Sequence, residues 1–332
     1  MYGIPDKKVN TPNDMDGVSS LSFSPKQNHL VASTWCNRVL AWEINNSGQS
    51  RFISSIKHKA PVLCTAFSGD GSRVFSGGAD NIAQMWVPQR NEVKTVAKHE
   101  KPISCITYCD KLNLLCTGSW DKTLKYWDCR QSKPAGEVKL PDKAYCLDQI
   151  DELLVVACAG RKINMYNLNK PGVAYKETES TLKNQIRSVA AFPNKSGYAA
   201  GSICGRVSIT NIDQRDQKGN FTFKCHRKKD PHSNRSEVYA VNAIKFHPKG
   251  TFATAGADGQ YVFWDKDSRQ RLKKFDLQNT IPISACTFNA PGDIFAYAVS
   301  YDWSKGHAFK NNNNSIFLHA VKADEISPQR RR

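Results

Sequence analysis

The sequence predicts an all-β fold, a seven-bladed β-propeller. A short hydrophobic strand recurs seven times at a regular interval, and turn residues divide each repeat into short apolar runs. The recurring strand carries an anchor position at Trp42, Trp86, Trp127, Tyr166, Thr210, Trp264 and Leu318. Successive anchors are 44, 41, 39, 44, 54 and 54 residues apart, close to the roughly 40 to 45 of a Trp-Asp (WD40) repeat. The two long intervals locate insertions in the later repeats.

The third repeat shows how one blade is built. Its apolar runs ISCITYC, LLCTGSW and TLKYWDC are followed by the more polar run GEVKL. We expect four antiparallel strands, with the inner strands apolar on both faces because neighbouring blades cover them, and the outer strand alternating. Because a single blade would not be stable alone, residues 1–322 should form one domain, followed by a basic, flexible tail over 323–332.

The seventh repeat lacks a convincing fourth strand, because only KADEISPQRRR follows its last apolar run, SIFLHAV. The N-terminus can supply the missing strand. We expect residues near Lys7 to Thr11 to pair with residues 315–321 and so to close blade 7, which removes an open sheet edge.

Composition agrees with a large folded core, since 40% of the 332 residues are hydrophobic and 10% are aromatic. No apolar run approaches the roughly 18 to 20 residues of a membrane span, and the segment MYGIPDKKVNTPND lacks the apolar stretch of a signal peptide. We therefore expect a soluble, intracellular and monomeric propeller without membrane insertion. The eleven cysteines are odd in number and lie mostly in apolar strands, which predicts buried thiols.

The formal net charge is +17, and the charges cluster in loops. A field of this sign favours acidic partners, either carboxylate-rich peptides or nucleic acid. The alternative is a basic but solvated surface that only maintains solubility. The clustering favours a functional basic face.

The turns of several repeats carry a histidine, a serine, an aspartate and a tryptophan. These residue types lie at His99, Ser119, Asp121 and Trp127 in the third repeat, at His58, Asp80 and Trp86 in the second, and at Asp258 and Trp264 in the sixth. A catalytic triad would have no reason to recur at one spacing, so we interpret the set as a structural tetrad. Loss of Asp121 would leave buried donors unsatisfied, at about 1 to 3 kcal/mol each.

No pattern in the chain predicts an enzyme. Neither a glycine-rich phosphate loop nor a zinc spacing is present. Cys225 and His226 are adjacent, but neighbouring residues of a strand point to opposite faces, and no CxxC or HxxxH pattern accompanies them. We therefore expect no catalytic, cofactor or metal site.

Three unusual loops predict a binding surface: the turn ending at Arg206, the stretch 220–237 and the stretch 301–314. In a propeller, the turns between second and third strands and the links to the next blade open onto one face, called here the top face. We expect a partner peptide to bind there through Arg206, Lys224, Arg227, Trp303 and Lys305, with further contacts from Trp35, Trp120 and Phe223. Trp35 and Trp120 are either packing lids or anchors. Trp303 is either an anchor or a plug between blades 6 and 7.

Several segments together resemble a known family, the Rae or Gle family of mRNA export factors of the nuclear pore. They are GSWDKTLKYWD, GSICGRV, NFTFKCHR, YAVNAIKFHP, FWDKD and FAYAVSYDWSKGH, in the order of the family. The kinetochore checkpoint propeller of the Bub family is similar around GRV and FKCHR but does not usually carry DWSKGH. Asn81 departs from the family pattern, which tends to have an Asp-Lys-Thr turn there. The insertion after Arg227 and the asparagine run 311–314 look lineage-specific.

The resemblance implies a non-enzymatic mRNA export adaptor. It would bind the acidic GLEBS motif of an FG-repeat nucleoporin, with Arg206 and Lys224 pairing with glutamates of that motif, in the nucleus and at the nuclear pore, shuttling to the cytoplasm. It also implies contacts with single-stranded RNA and with spindle proteins. Two alternatives stay open: a kinetochore checkpoint scaffold that binds GLEBS-like motifs, and a propeller whose main ligand is RNA, with affinity that falls steeply with salt.

Overall fold

The computed structural model describes residues 6–45, 47–230, 232–233, 235–277, 281–310 and 313–328. Within these ranges the chain forms seven four-stranded antiparallel sheets and one two-stranded sheet. The predicted all-β, seven-bladed propeller is confirmed.

The strands follow the chain blade by blade. A first strand, β1 (Lys7–Lys8), belongs to blade 7. Blade 1 holds β2 (Val18–Phe23), β3 (His29–Thr34), β4 (Arg38–Ile44) and β5 (Ser50–Lys57), and blade 2 holds β6 (Val62–Phe67), β7 (Val74–Gly78), β8 (Ile82–Val87) and β9 (Glu92–Lys98). Blade 3 holds β10 (Ile103–Cys109), β11 (Leu114–Ser119), β12 (Thr123–Trp127) and β13 (Gly136–Lys139), and blade 4 holds β14 (Ala144–Ile150), β15 (Leu153–Cys158), β16 (Lys162–Asn167) and β17 (Ala174–Glu179).

The later blades are interrupted by one hairpin. Blade 5 holds β18 (Ile186–Ala191), β19 (Gly197–Ser202), β20 (Arg206–Asn211) and β21 (Phe221–Lys224), and the hairpin that follows holds β22 (Arg227–Lys229) and β23 (Ser236–Val238). Blade 6 holds β24 (Val241–Phe246), β25 (Phe252–Gly256), β26 (Gln260–Asp265) and β27 (Gln270–Asp276), and blade 7 holds β28 (Ile283–Phe288), β29 (Ile294–Val299) and β30 (Ser315–Ala320). Short 3₁₀ turns span Asp110–Leu112, Ala159–Arg161, Gln214–Gly219, His307–Phe309 and Ala323–Glu325.

The hydrophobic core lies between the blades. Seven clusters of buried apolar side chains each join two neighbouring blades, and blades 7 and 1 are joined in the same way as the others. Strand β15 is buried along its whole length, whereas the outer strand β17 alternates between half-buried and exposed residues. Burial on both faces of the inner strands therefore holds the ring of blades together.

The N-terminal strand closes blade 7, as predicted. Lys7 pairs with Leu318 and Lys8 with Phe317 in antiparallel register, and the Val9 amide donates to the Ile316 carbonyl at 2.8 Å. The strand is shorter than the predicted Lys7 to Thr11, but it leaves blade 7 with the four strands of every other blade.

The seventh anchor lies one residue later than the sequence alignment placed it. In blade 3 the anchor Trp127 pairs with Leu115, and Leu115 pairs with Tyr108 near the end of the first strand. In blade 7 the residue at this position lies opposite Phe295. That residue is His319, and Leu318 is its neighbour. Because a slip of one residue moves a side chain to the other face of a sheet, Leu318 packs toward blade 1 and His319 toward blade 6.

The folded part extends beyond the predicted boundary at residue 322. Glu325 and Ile326 are buried, and Ile326 joins the apolar cluster between blades 6 and 7. Glu325 and Ile326 therefore pack on the propeller, although they lie in the stretch that was expected to be a flexible tail. The remaining tail residues 329–332 and two residues of the asparagine run, 311–312, lie outside the described residues. No helix in the described ranges is long and apolar enough to cross a membrane.

Candidate functional site

The structural tetrad forms in blade 3, with one member corrected. His99 bonds through Nδ1 to the Asp121 carboxylate at 2.8 Å and through Nε2 to Thr117 Oγ1 at 2.8 Å. The Trp127 indole donates to the same Thr117 hydroxyl at 2.9 Å. The hydroxyl member is therefore Thr117, and the choice of Ser119 was wrong.

Ser119 has a different task because it lies at the end of β11. Its hydroxyl donates to the Lys101 carbonyl at 3.0 Å and accepts the Asp121 amide at 3.0 Å, which shapes the turn. Burial raises the pKa of Asp121, but hydrogen bonds from Thr123 and His99 outweigh this effect and lower the pKa below its usual value. Burial also lowers the pKa of His99. The network pins the turn as a buried polar unit.

Blade 6 contains a complete tetrad whose histidine the sequence analysis missed. His226 bonds to Asp258 at 2.8 Å and to Thr254 at 2.8 Å, and Trp264 donates to Thr254 at 2.9 Å. The hairpin β22–β23 separates His226 from Asp258 by 32 residues, whereas His99 and Asp121 are 22 residues apart. The longer interval hid the match. The FKCH segment, at the end of an outer strand, was the signal that could have found it.

Blade 2 holds a partial version of the same network. His58 bonds to Asp80 at 2.9 Å and to Ser76 at 2.8 Å, but the buried Trp86 indole has no acceptor among the described residues. No group of three or more His, Cys, Asp or Glu side chains in the described ranges could hold a metal ion. The bonds of His58, His99 and His226 tie the start of each of these blades to its buried turn.

Arg206 and Lys224 lie directly opposite each other on the top face. Arg206 begins β20 and Lys224 ends β21, and the two are paired in register. Arg206 is half-buried and Lys224 is exposed. No carboxylate of the described residues lies within ion-pair distance of either side chain. Two like charges are thus held side by side without a counterion from the described chain.

Arg227 is close to this pair but differs in its contacts. Its guanidinium donates from Nη2 to the Cys204 carbonyl at 3.0 Å and from Nε to the Gly205 carbonyl at 3.3 Å. Gly205 has a φ of 60°, and a Cβ there would come within 2.6 Å of the Cys225 carbonyl. Arg227 therefore clamps the turn in front of Arg206, and its charge adds to the same patch.

Trp303 packs against Trp35, with ring centroids 5.1 Å apart. Trp303 lies in the loop of blade 7 and Trp35 in the equivalent turn of blade 1, so the contact joins blades 7 and 1 instead of blades 6 and 7. Both rings stay half-buried, and Trp303 adopts a left-handed φ of 62°. A tryptophan in this conformation is strained by about 1 to 3 kcal/mol, and such strain is typical of functional loops.

The blade 7 loop reaches across the mouth of the central channel. Arg187 of blade 5 donates to the Asp302 carbonyl at 3.2 Å, and Asn242 of blade 6 donates to the Asp302 carboxylate at 3.1 Å. The Tyr301 hydroxyl donates to the Gly306 carbonyl at 2.9 Å. These contacts fix the loop that carries Trp303 and connect it to the blade that carries Arg206.

Of the remaining predicted contacts, two side chains are exposed and one, Phe223, is half-buried. Trp120 is 37% exposed and lines the channel, and Lys305 is exposed, with its ammonium 5.9 Å from the Phe309 ring. Phe223 instead packs on Trp264, with centroids 4.6 Å apart, at the core between blades 5 and 6. The structure assigns Phe223 to packing and not to the top-face surface.

Sequence similarity to known proteins shows the family of this chain. The WD domain, G-beta repeat family matches residues 50–87, 90–128 and 222–265. The chain is 46% identical to the Poly(A)+ RNA export protein of Schizosaccharomyces pombe, over 98% of this chain and 93% of that protein. It is 47% identical to Protein RAE1 of Arabidopsis thaliana, over 97% of this chain and 92% of that protein. The chain belongs to the Rae/Gle family of mRNA export factors.

Further similarities agree with this assignment. The mRNA export factor of Macaca fascicularis is 45% identical to the chain, over 97% of this chain and 91% of that protein. The solved structure of U3-55K superimposes with a TM-score of 0.78, over 94% of this chain and 98% of that chain, at 15% identity. That likeness concerns the fold alone. The Rae/Gle resemblance predicted from the loop motifs is confirmed.

Proposed function

We propose that this Rae/Gle family member is a non-enzymatic mRNA export adaptor that binds the acidic GLEBS motif of an FG-repeat nucleoporin on its top face. The names of its relatives support the export role. The observation that carries the peptide proposal is the unpaired cross-strand couple of Arg206 and Lys224. The proposed location is the nucleus and the nuclear pore, with shuttling to the cytoplasm.

The pairing of Arg206 with Lys224 has an energetic cost in the unliganded protein. Like charges directly opposite on neighbouring strands destabilise a sheet by a few tenths of a kcal/mol. A peptide carboxylate placed between them removes the repulsion and gains two charge-assisted hydrogen bonds. Arg206 offers a planar fork to that carboxylate, and its partial burial strengthens the interaction relative to a solvated pair.

The top face also offers fixed aromatic surface beside these charges. Trp303 and Trp35 form a half-buried pair, and Trp120 is exposed at the channel mouth. Aromatic anchors next to arginine are typical of interface hot spots. Because hydrogen bonds hold the blade 7 loop, a peptide would meet a formed surface and lose less ordering entropy.

Contact with single-stranded RNA is a second candidate function of the same molecule. The hairpin β22–β23 carries exposed Lys228, Lys229 and Arg235 beside the top face, and the chain has a net charge of +17. A surface with several exposed lysines and arginines binds nucleic-acid phosphates with an affinity that depends strongly on salt. Binding to spindle or checkpoint proteins through GLEBS-like motifs is the alternative peptide partner.

The test is a pull-down from cell lysate with the wild type and with an Arg206→Glu, Lys224→Glu double variant. We expect the double variant to lose an FG-repeat nucleoporin. A matched control, Lys133→Glu with Lys170→Glu, changes the same charge in exposed loops at the other end of blades 3 and 4. If the double variant retains its partners, or loses only checkpoint proteins, the proposal is wrong.

A direct measurement separates peptide from RNA. Binding of a synthetic GLEBS peptide and of a labelled oligouridylate is followed by fluorescence anisotropy at several salt concentrations. The peptide proposal expects the Arg206, Lys224 variant to lose the peptide by more than tenfold. The RNA candidate requires oligouridylate affinity that falls steeply with salt and survives in that variant.

A further inference from the structure

A groove lies between blades 5 and 6, at the end of the propeller opposite to the top face. It is enclosed by the loop 212–220 of blade 5, the turn 265–269 of blade 6 and the turn after β18, and its volume is about 370 Å³. Ile209 lines the groove and pairs with Phe221, while Arg206 begins the same strand three residues earlier. The groove and the top-face cations are therefore about 10 Å apart along β20.

The blade 5 wall of the groove is held in place by hydrogen bonds. The Asn211 side-chain amide donates to the Asp216 carbonyl at 3.2 Å and to Asn220 Oδ1 at 3.1 Å. The Asp213 carboxylate caps the 3₁₀ turn by accepting the Arg215 amide at 2.9 Å. This loop is thus preformed, and a ligand would not have to order it.

Cations and aromatic rings alternate around the groove. The Lys266 ammonium lies 5.1 Å from the Phe192 ring centroid, and the Arg269 guanidinium lies 4.8 Å from that of Phe221. The Lys266 side chain is only 12% exposed, and its ion-pair partner Asp267 is 77% exposed. A largely desolvated ammonium with a solvated partner is a ready site for a second anion.

Two of the lining cations have no counterion in the described part of the chain. Lys218 and Arg269 are exposed, and neither has a carboxylate of the described residues within ion-pair distance. The lining cations are Arg215, Lys218, Lys266 and Arg269, and the lining carboxylates are Asp216 and Asp267; Arg215 is ion-paired with the adjacent Asp213, so the groove keeps a small excess of positive charge. The groove is complementary to an acidic ligand.

The backbone of Arg269 supplies an independent observation. Arg269 has a left-handed φ of 55°, and Asn91, at the equivalent position before the outer strand of blade 2, has a φ of 53°. Asparagine adopts this conformation more readily than arginine does. Blade 6 therefore holds an arginine beside the groove in a backbone conformation that asparagine fits better.

We infer that this groove is a second docking site, for a short linear peptide that carries acidic residues next to an apolar side chain. The apolar side chain would lie beside the half-buried Phe221, and carboxylates would pair with Lys218, Lys266 and Arg269. The site is separate from the top face and does not depend on the proposed function.

The same contacts disfavour RNA as the occupant. Base stacking requires a free aromatic face, and Lys266 and Arg269 already lie over the rings of Phe192 and Phe221. A phosphodiester backbone carries a charge at every nucleotide and would meet the carboxylates of Asp216 and Asp267. A peptide can alternate acidic and apolar residues to match the groove.

The test uses a phage-displayed library of random dodecapeptides, panned on the full-length wild type. Binders are counter-screened against Lys218→Glu with Arg269→Glu, two exposed positions outside the core. The controls are the Lys133→Glu, Lys170→Glu pair, which matches the charge change, and the Arg206→Glu, Lys224→Glu pair, which removes the top-face charges.

We expect a class of acidic, apolar-containing peptides that loses at least tenfold in affinity with the groove variant and less than twofold with either control. Arg269→Asn, which suits the left-handed backbone, should weaken the same peptides while keeping the thermal midpoint. The inference is overturned if no selected peptide depends on Lys218 and Arg269. It is also overturned if a labelled oligouridylate, and no peptide, loses affinity with the groove variant.

Discussion

Arg206 and Lys224 are direct cross-strand partners at the top of blade 5, and no carboxylate of the described residues neutralises them. The pair favours acidic ligands at a small cost to the unliganded fold. Stability and binding should therefore respond in opposite directions to the same substitution.

Lys224→Glu should stabilise the unliganded propeller by about 0.5 kcal/mol, because it turns a like-charge pair into an opposite-charge pair. The same change should weaken an acidic peptide by more than tenfold. Urea unfolding and isothermal titration measure the two effects. Lys224→Gln is the control and should be intermediate in both. A destabilised Lys224→Glu protein would contradict the argument.

Thr117→Val should destabilise blade 3 more than Ser119→Ala. The first change leaves buried ring nitrogens of His99 and Trp127 without their partner, at about 1 to 3 kcal/mol each. The second removes the partner of the Asp121 amide but keeps the bonds of His99 to Asp121 and Thr117, so its cost should be smaller. Urea unfolding of both variants checks the order, and the reverse order would restore Ser119 as the tetrad member.

His226→Ala should lower the free energy of unfolding by about 2 kcal/mol or more, because Asp258 and Thr254 lose a buried partner. The loss should resemble that of His99→Ala. Thermal unfolding with and without a chelator provides the measurement. A midpoint that falls on chelation in the wild type, and not in the variant, would instead indicate a metal at Cys225 and His226.

The contribution of His319 should depend on pH. Burial lowers the pKa of His319, but its bonds to Asp6 at 2.7 Å and Glu325 at 2.9 Å outweigh burial and raise the pKa above 6.5. A raised pKa in the folded state means that the stabilisation is complete below pH 6.5 and is lost as pH rises through the folded value.

The pKa of Asp6 is shifted in the opposite direction to that of His319. Burial raises it, but bonds from His319 and Tyr297 lower it below 3.8, so its contribution is lost only in acid. The rings of Tyr261 and Phe275 also face His319. The difference in thermal midpoint between wild type and His319→Gln should be largest near pH 5 to 6 and shrink above pH 7. A difference that grows with pH would refute the ion-paired clasp.

Trp35→Ala and Trp303→Ala should not be additive. The rings are in contact, so a double-mutant cycle should show a coupling of about 0.5 to 1.5 kcal/mol in unfolding. Titration of a GLEBS peptide into the same four proteins decides between lid and anchor. A lid changes stability alone, whereas an anchor also lowers peptide affinity when Trp303 is replaced.

Local sequence patterns were enough to predict most of the fold. The interval between anchor residues set the number of blades, and the absence of a fourth run after SIFLHAV required the N-terminal strand at Lys7 and Lys8. The turns also assigned Arg206 and Trp303 to one face. These features depend on residues that are close together in the chain, or on a simple count of strands.

Misassignments arose where distant segments meet. Ser119 and Thr117 are only two residues apart, and only the position of His99 shows which hydroxyl it bonds. His226 was hidden by the hairpin that follows it, and the anchor His319 was displaced by a one-residue slip.

The sequence by itself determined the propeller, its closure, its family motifs and the charged residues of the top face, because each is written in a short repeat or a recognisable segment. Only the tertiary structure decided that Trp303 packs on Trp35 of blade 1, that Glu325 returns to His319, and that a cationic groove lies between blades 5 and 6. Those features depend on which blade edges the closed ring brings together, and chain spacing does not encode that proximity.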